Sequence, residues 1–444
     1  MARRLAVDFP AGAVAFPGFV DPHLHLLAMA ARRLSVDCSV HNAPTISHIA
    51  DLVRAKARSL PIGSWVRAEG YEEIRLAERR HPTRLELDAA APDHPVLLHH
   101  GAGHVVVANT RALQALGDRG TDGPMADGLL VGAESLLDER VPQLAGDEMI
   151  QAVGSASREL AQAGVTGCTD ATVTNGLDRY DFLRGLTAEG VILQRLVVMP
   201  GVDHLLDFID AGLRYGSGDD RCRVGHAKVV PPDEVDADEM REKVRVAHEE
   251  GWPVAIHVVD VDQLDAALGA IEESPAPAGT CDRLEHNALS LPEQVERIAR
   301  SGAAVVTQPS FLEHRAKRYL EELSSVEQEW LYRVGSLLKA GVVVAASSDG
   351  PVAPSRPIEV AMAAMTRGGG RVGRVFAPDE RVDGSTALSL ITTAAAKVGP
   401  RRPGQDSDVT VLSGDPFAIG ASASSSESIQ VLATFVAGEM VTKT

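Results

Sequence analysis

His23-Leu24-His25 sets two imidazoles two residues apart, at the end of the apolar run Ala15-Phe16-Pro17-Gly18-Phe19-Val20-Asp21-Pro22. On a strand that spacing aims both rings to the same side. Two neutral nitrogens converging at a strand end suit zinc, iron, nickel or manganese, whereas magnesium and calcium favour an oxygen shell. The pair reads as half of a catalytic metal site. Isolated His-x-His pairs also occur on surfaces, so the other half must be found downstream. Lys228, His257, His286 and Asp349 carry ligand chemistry, and each sits at or near the end of an apolar run. Singly, each has an ordinary explanation: His257 as a core histidine, Lys228 as a snorkelling surface lysine, Asp349 as a helix cap. Their common placement sets them apart.

That placement depends on the elements. From residue 150 onward, short apolar runs alternate with helical patterns, the signature of βα units and a parallel sheet. The runs Phe16–His25, Val165–Asp170, Val191–Val198, Cys222–Val230, Pro253–Val259, Asp282–Leu289, Ala303–Gln308 and Val342–Ser348 are strand candidates. Their number is what a (β/α)8 TIM barrel requires, and such α/β barrels place their active sites at the carboxyl ends of the strands. Lys228 falls on the fourth, His257 on the fifth, His286 on the sixth and Asp349 on the eighth. The local grammar agrees. Helices are predicted over Ile150–Ala163, over Asp236–Gly251 and after Ser290, where Ser290 and Glu293 form a capping box and Gly302 a left-handed stop. Residues 1–14 are expected to be the remnant of a small β domain and 15–405 the barrel. An insertion at about 30–150 carries its own strand, Pro95–His100. Residues 406–444 form a C-terminal β element with strand-like runs Asp408–Leu412 and Ile429–Val436 around a serine-rich stretch, Ala421–Glu427.

The motifs Pro17-Gly18-Phe19-Val20-Asp21-Pro22-His23-Leu24-His25, Gly103-His104 with Asn109 and Leu113, Gly164-Val165-Thr166, Ile256-His257, Glu285-His286, Gln308-Pro309, Ser348-Asp349-Gly350-Pro351 and Thr366-Arg367 together resemble the amidohydrolase superfamily. Within it they resemble the family 3 branch of N-substituted formamide deformylases and related metal-dependent hydrolases. The resemblance spans nearly the whole chain. It implies His23 and His25 on the more buried metal, His257 and His286 on the other, a carboxylated Lys228 bridging two divalent ions, and Asp349 as ligand and proton shuttle. Zinc is the expected ion. A lysine can bridge cations only as a carbamate, formed when its neutral amine takes up carbon dioxide. The resemblance also implies that His104 faces the substrate, where it could bond a developing oxyanion; a histidine satisfied by its own loop is the alternative. His99 and His100 are expected only to close their strand. Departures follow His257, where Val258-Val259-Asp260-Val261 stands for the branch's Ala-Ile-Gly-Asp. Another follows Lys228, where Pro231-Pro232-Asp233-Glu234 replaces a glycine-rich loop.

The expected activity is hydrolysis of a non-peptide carbon–nitrogen bond, in an amide or N-substituted formamide, by metal-activated hydroxide. Two alternatives stay open: a deaminase of a cyclic imine or aminopyrimidine, and a barrel kept as a non-catalytic scaffold. A formal charge of −18, from 61 acidic and 43 basic residues, argues against nucleic acid and against anionic membranes. Cys38, Cys168, Cys222 and Cys281 form no C-x-x-C pair and are expected to be reduced thiols. No apolar stretch is long enough to span a bilayer, and the amino-terminal residues do not read as a signal peptide, so the expected location is cytoplasmic. The expected partner is a small amide-type molecule. A homo-oligomer is neither required nor excluded.

Overall fold

The computed structural model describes residues 8–101, 105–117, 127–142, 146–232, 235–368, 372–400, 407–414 and 429–443. It divides into two compact units, one made of Met1–Leu26 with Gly154–Thr444, the other of Leu27–Val153.

In the first unit, strands Phe19–Leu24, Val165–Asp170, Arg195–Val198 and Cys222–Val224 form one parallel sheet, and Ala227–Val229, Val254–Val258, Arg283–His286, Ala304–Thr307 and Val344–Ala346 form another. Every one of these strands is buried almost end to end, as strands covered on both faces must be, although several carry polar or charged residues. Two isolated parallel bridges, Leu24 to Gly350 and Gly201 to Lys228, link the two sheets. Each predicted run contains a strand, but two runs are broken. Cys222–Val230 splits at Gly225-His226, where the Gly225 N–H bonds Val198 O at 2.7 Å and a Cβ would lie 2.8 Å from Val197. Phe16–His25 splits at Gly18, whose missing Cβ leaves room for Thr166, otherwise 2.2 Å away.

Phe16 and Pro17 therefore belong to a different sheet. Val14–Pro17 pairs antiparallel with Val409–Leu412, which pairs with Val431–Val436, which pairs with Glu439–Lys443. Glu439–Lys443 had no apolar alternation to announce it, being mostly exposed. The serine-rich stretch lies outside the described residues.

The helices show why sequence boundaries drift. Ala237–Glu249 starts as expected, with the Asp236 carboxylate accepting from the Asp238 and Glu239 N–H groups. The helix expected to open at Ile150 runs over Gly146–Gln162. The Ser290/Glu293 capping box does not form. Pro292 takes the first helical position, and the Gln294 side chain accepts from the Leu291 N–H at 2.9 Å. Gly302 is the left-handed stop, at φ 75°.

The second unit has a five-stranded sheet in chain order, from Val36–Asp37 through Val66–Tyr71, Val96–His100 and Val105–Ala108 to Leu129–Val131. Helix Ile46–Arg58 buries Ile49 and Val53 against Val66, Val96 and Leu98. Cys38, Cys168 and Cys222 are buried free thiols and Cys281 a half-buried one. Among the described residues, no helix is long and apolar enough to cross a membrane.

Candidate metal centre

His23 and His25 sit at the end of Phe19–Leu24, and backbone bonds hold that end against the segment after Val344–Ala346. Asp349 N donates to His23 O at 3.0 Å, and His25 N donates to Gly350 O at 2.8 Å. The zipper delivers the Asp349 carboxylate to the histidines. Its Oδ1 lies 3.5 Å from His23 Nε2 and 3.2 Å from His25 Nε2, and its Oδ2 lies 4.0 Å from His286 Nδ1. Ligand atoms of His23, His25 and Asp349 all fall within 4.8 Å of one another. The His286 ring centre is 4.8 Å from that of His23 and 4.4 Å from that of His257. Five of the six expected ligands are thus brought together by ring and carboxylate contacts.

Lys228, the sixth, is tied in by register. It pairs with Ala255, two residues before His257, and His257 pairs with Glu285. Paired residues of a parallel sheet share a face, so Lys228, His257, Arg283 and Glu285 point the same way. Lys228 is not a snorkelling surface residue. Its side chain is 2% exposed and its ammonium has no hydrogen-bond partner. Burial pushes its pKa down to about 8, against the opposing pull of Glu285 and Asp349.

Adjacent residues on a strand face opposite ways, yet Glu285 and His286 both reach His23. The alternation is broken by left-handed backbone at His286, φ 69°, and Asn287, φ 45°. Asp349 is left-handed too, at φ 57°. Such conformations cost non-glycine residues free energy and cluster where function holds the chain.

The groups behind the ligands set their protonation. His23 Nδ1 bonds the fully buried Glu285 carboxylate, which Arg283 grips with Nε at 2.7 Å and Nη2 at 3.0 Å. Burial alone would raise Glu285, but Arg283, His23 and Lys228 hold it well below the ordinary carboxylate range. Burial, with Lys228 adding to it, lowers His23, so its ring is neutral. An ionised carboxylate only accepts, so Nδ1 carries the proton and the Nε2 lone pair faces Asp349 Oδ1. Asp349 is itself ionised. Burial would raise it, but the groups around it, the His25 imidazole 3.2 Å away first among them, hold it below its usual range. A lone pair and a carboxylate facing each other across 3.5 Å call for a cation. His25 Nδ1 is placed by Thr172 Oγ1 at 3.0 Å, and His286 Nδ1 by Gln308 Oε1 at 2.9 Å, with Gln308 in turn bonded to Ser347 at 2.8 Å. Burial pushes His286 down to about 3.

Sequence reasoning missed the roles of Arg283, Glu285, Thr172 and Gln308. One signal was available: Arg283-Leu284-Glu285 puts opposite charges two apart inside an apolar run, hence on one buried face. Thr172 gave none. His104 lies outside the described residues. His100 does more than close its strand, since its Nε2 lies 2.7 Å from Glu73 Oε2.

A family model described as "Amidohydrolase family" matches residues 11–442. Among curated proteins, the chain is 28% identical to amidohydrolase YtcJ of Bacillus subtilis (strain 168), over 92% of this chain and 85% of that protein. It is 27% identical to an N-substituted formamide deformylase of Arthrobacter pascens, over 96% of this chain and 88% of that protein. Among solved structures, an uncharacterized metal-dependent hydrolase from Pyrococcus horikoshii OT3 superposes with a TM-score of 0.75 at 24% identity, covering 92% of this chain and 87% of that one. That structural likeness establishes an α/β fold of the same kind.

Proposed function

The chain is a hydrolase of the amidohydrolase family, and we propose that it cleaves a non-peptide carbon–nitrogen bond of a small amide, an N-substituted formamide being the leading class, with the help of divalent metal. The observation that carries this reading is the neutral His23 Nε2 lone pair facing the ionised Asp349 carboxylate, with His25, His257, His286 and an unpartnered buried Lys228 around them. Mixed imidazole and carboxylate donors fit zinc or a similar transition ion. Two ions per chain account for six donors better than one tetrahedral site does. His23 and His25 would hold one, His257 and His286 the other, and Asp349 and Lys228 would serve both. When bound, the metal supplies the positive charge that acidifies water toward a pKa of ~7 and polarises the scissile carbonyl.

The chain's own residues do the rest. Asp349, ionised, accepts the proton of the attacking water and returns it to the leaving nitrogen as the carbon–nitrogen bond breaks. Glu285, backed by Arg283, fixes the His23 tautomer, while Thr172 and Gln308 orient His25 and His286. Lys228 becomes a bridging anion if its neutral amine adds carbon dioxide, forming a nitrogen–carbon bond and releasing one proton. The two parallel sheets and the bridges between them fit a single (β/α)8 barrel, whose strand ends would gather these residues at one face.

Protein expressed with added zinc should carry two equivalents by elemental analysis. The Asp349→Asn variant should keep most of that metal and lose at least about 100-fold in turnover, the usual worth of a positioned general base. Activity within a few-fold of wild type would remove Asp349 from the chemistry. Ammonia release from an aminopyrimidine, with no cleavage of N-formyl, N-acetyl or cyclic imide compounds, would replace the amide reading with deamination.

A further inference from the structure

Asn287 follows His286 at the carboxyl end of Arg283–His286, and its carboxamide is 1% exposed. Among the described residues it is the one side chain with both polar atoms buried and unbonded, Oδ1 as well as Nδ2. Buried polar groups are nearly always paired, and an unpaired one costs free energy that a protein keeps only for a purpose. Left-handed backbone explains why an asparagine is tolerated there, but not why its carboxamide stays idle. An asparagine chosen for its backbone alone ordinarily bonds a nearby main-chain group.

Its place directly after His286 puts Asn287 next to the metal centre in the chain, and the groups around it are largely bonded to one another. Ala288 O accepts from Tyr332 N at 2.8 Å, and the Tyr332 phenol bonds that of Tyr319 at 2.7 Å. The Tyr332 phenol lies within electrostatic reach of Asp349, whose charge helps push it further above its ordinary range. Those two hydroxyls are committed to each other. On the next strand, Gln308 is committed to His286 and Ser347, and beyond it the buried Ser310 hydroxyl is also unbonded. Among the described residues, the hydroxyls of Ser290, Thr307 and Ser310 are buried and unbonded as well, but Asn287 alone among these four presents a donor and an acceptor on separate atoms.

We propose that Asn287 is a substrate-binding residue that reads an amide edge, Nδ2–H donating to the substrate carbonyl and Oδ1 accepting from the adjacent N–H. The assignment rests on the amide-hydrolase reading above and narrows it: a secondary amide, offering acceptor and donor side by side, is preferred over a tertiary amide that offers only the acceptor. A tertiary amide leaves Oδ1 buried and unpaired, and sites built to hydrogen-bond a group reject analogues that lack it.

The test uses the metal-loaded protein and N-alkyl formamides and acetamides, each paired with its N-methylated counterpart. Wild type should favour the secondary amide in kcat/KM by about 10- to 100-fold, the worth of one buried hydrogen bond to the substrate. Asn287→Gly, which accepts left-handed backbone but has no carboxamide, should bring the two substrates within about 3-fold, chiefly by losing the secondary amide. Asn287→Asp keeps the acceptor and loses the donor, so it should lower both substrates while retaining the preference. Melting temperature and metal content report whether a variant has merely lost its structure. A preference unchanged in Asn287→Gly, or both substrates falling equally in both variants, would overturn the proposal while leaving amide hydrolysis standing. Wild type that cleaves no amide but deaminates an aminopyrimidine would overturn the amide edge together with the function it rests on.

Discussion

Lys228 shows how much the protonation of one residue decides. An ordinary lysine near a metal repels it, and its ammonium cannot attack carbon dioxide. Burial brings Lys228 down to about 8 from the usual 10.5, so its neutral amine becomes a large fraction just above neutrality instead of a trace. The sign follows directly: raising pH through 8 increases the reactive form. At equal dissolved carbon-13-labelled carbon dioxide, metal-free protein given zinc should therefore gain a carbamate signal and activity faster at pH 9 than at pH 7, and Lys228→Ala should gain neither. Equal rates at the two pH values, or full activity in Lys228→Ala, would return Lys228 to the role of a plain amine. The six expected ligand positions were visible in the sequence because His-x-His and residues at run ends are patterns of type and spacing. The groups that hold them were less so. Thr172 and Gln308 matter through one hydrogen bond each, to His25 and His286, made by residues 147 and 22 positions away.

At the scale of elements, the strands were legible and their breaks were not. Apolar runs mark where a strand is covered on both faces, which is why each of the eight contains one. Gly18 and Gly225 break two of them for a reason found only across space, the nearness of Thr166 and Val197. Gly201 is a third such position and the most consequential. It bonds Asn175 O at 3.1 Å and pairs with Lys228, while the preceding segment carries Thr172, the support of His25. A Cβ on Gly201 would stand 1.8 Å from Val173 O, which is main chain and cannot rotate away. Gly201→Ala must push the 172–176 and 200–204 segments apart. A loss of about 1–3 kcal/mol, typical of overpacking, is expected in denaturant melts, with weaker metal binding because Thr172 and Lys228 are both displaced. An unchanged midpoint together with unchanged zinc affinity would show that the two segments can separate without cost.

On the molecular scale, charge narrows the substrate in a way that the ligand set does not. The chain carries a formal −18, and of the residues that could make the site locally basic, Arg315, Lys317, Arg318 and Arg367, the last is sequestered. It is fully buried, and its guanidinium donates to Phe376 O at 2.7 Å, Tyr332 O at 2.9 Å and Leu331 O at 2.7 Å, bracing backbone rather than meeting a ligand. Arg315 lies over the Phe311 ring, 4.4 Å from its centre. A net negative field draws cationic molecules in and slows anionic ones, and salt screens it over a Debye length of about 10 Å at 0.1 M. For an N-acyl substrate bearing a distal ammonium, kcat/KM should thus fall as salt rises from low to moderate strength. A neutral analogue should be indifferent, and one bearing a distal carboxylate should improve. Steady-state kinetics on such a matched trio, at fixed pH and metal content, separates the field from the chemistry, because the scissile bond is the same in all. If the carboxylate-bearing compound is the best substrate at low salt and loses rate as salt is added, a basic subsite near the scissile bond outweighs the global charge, and substrate selection must be sought in its residues.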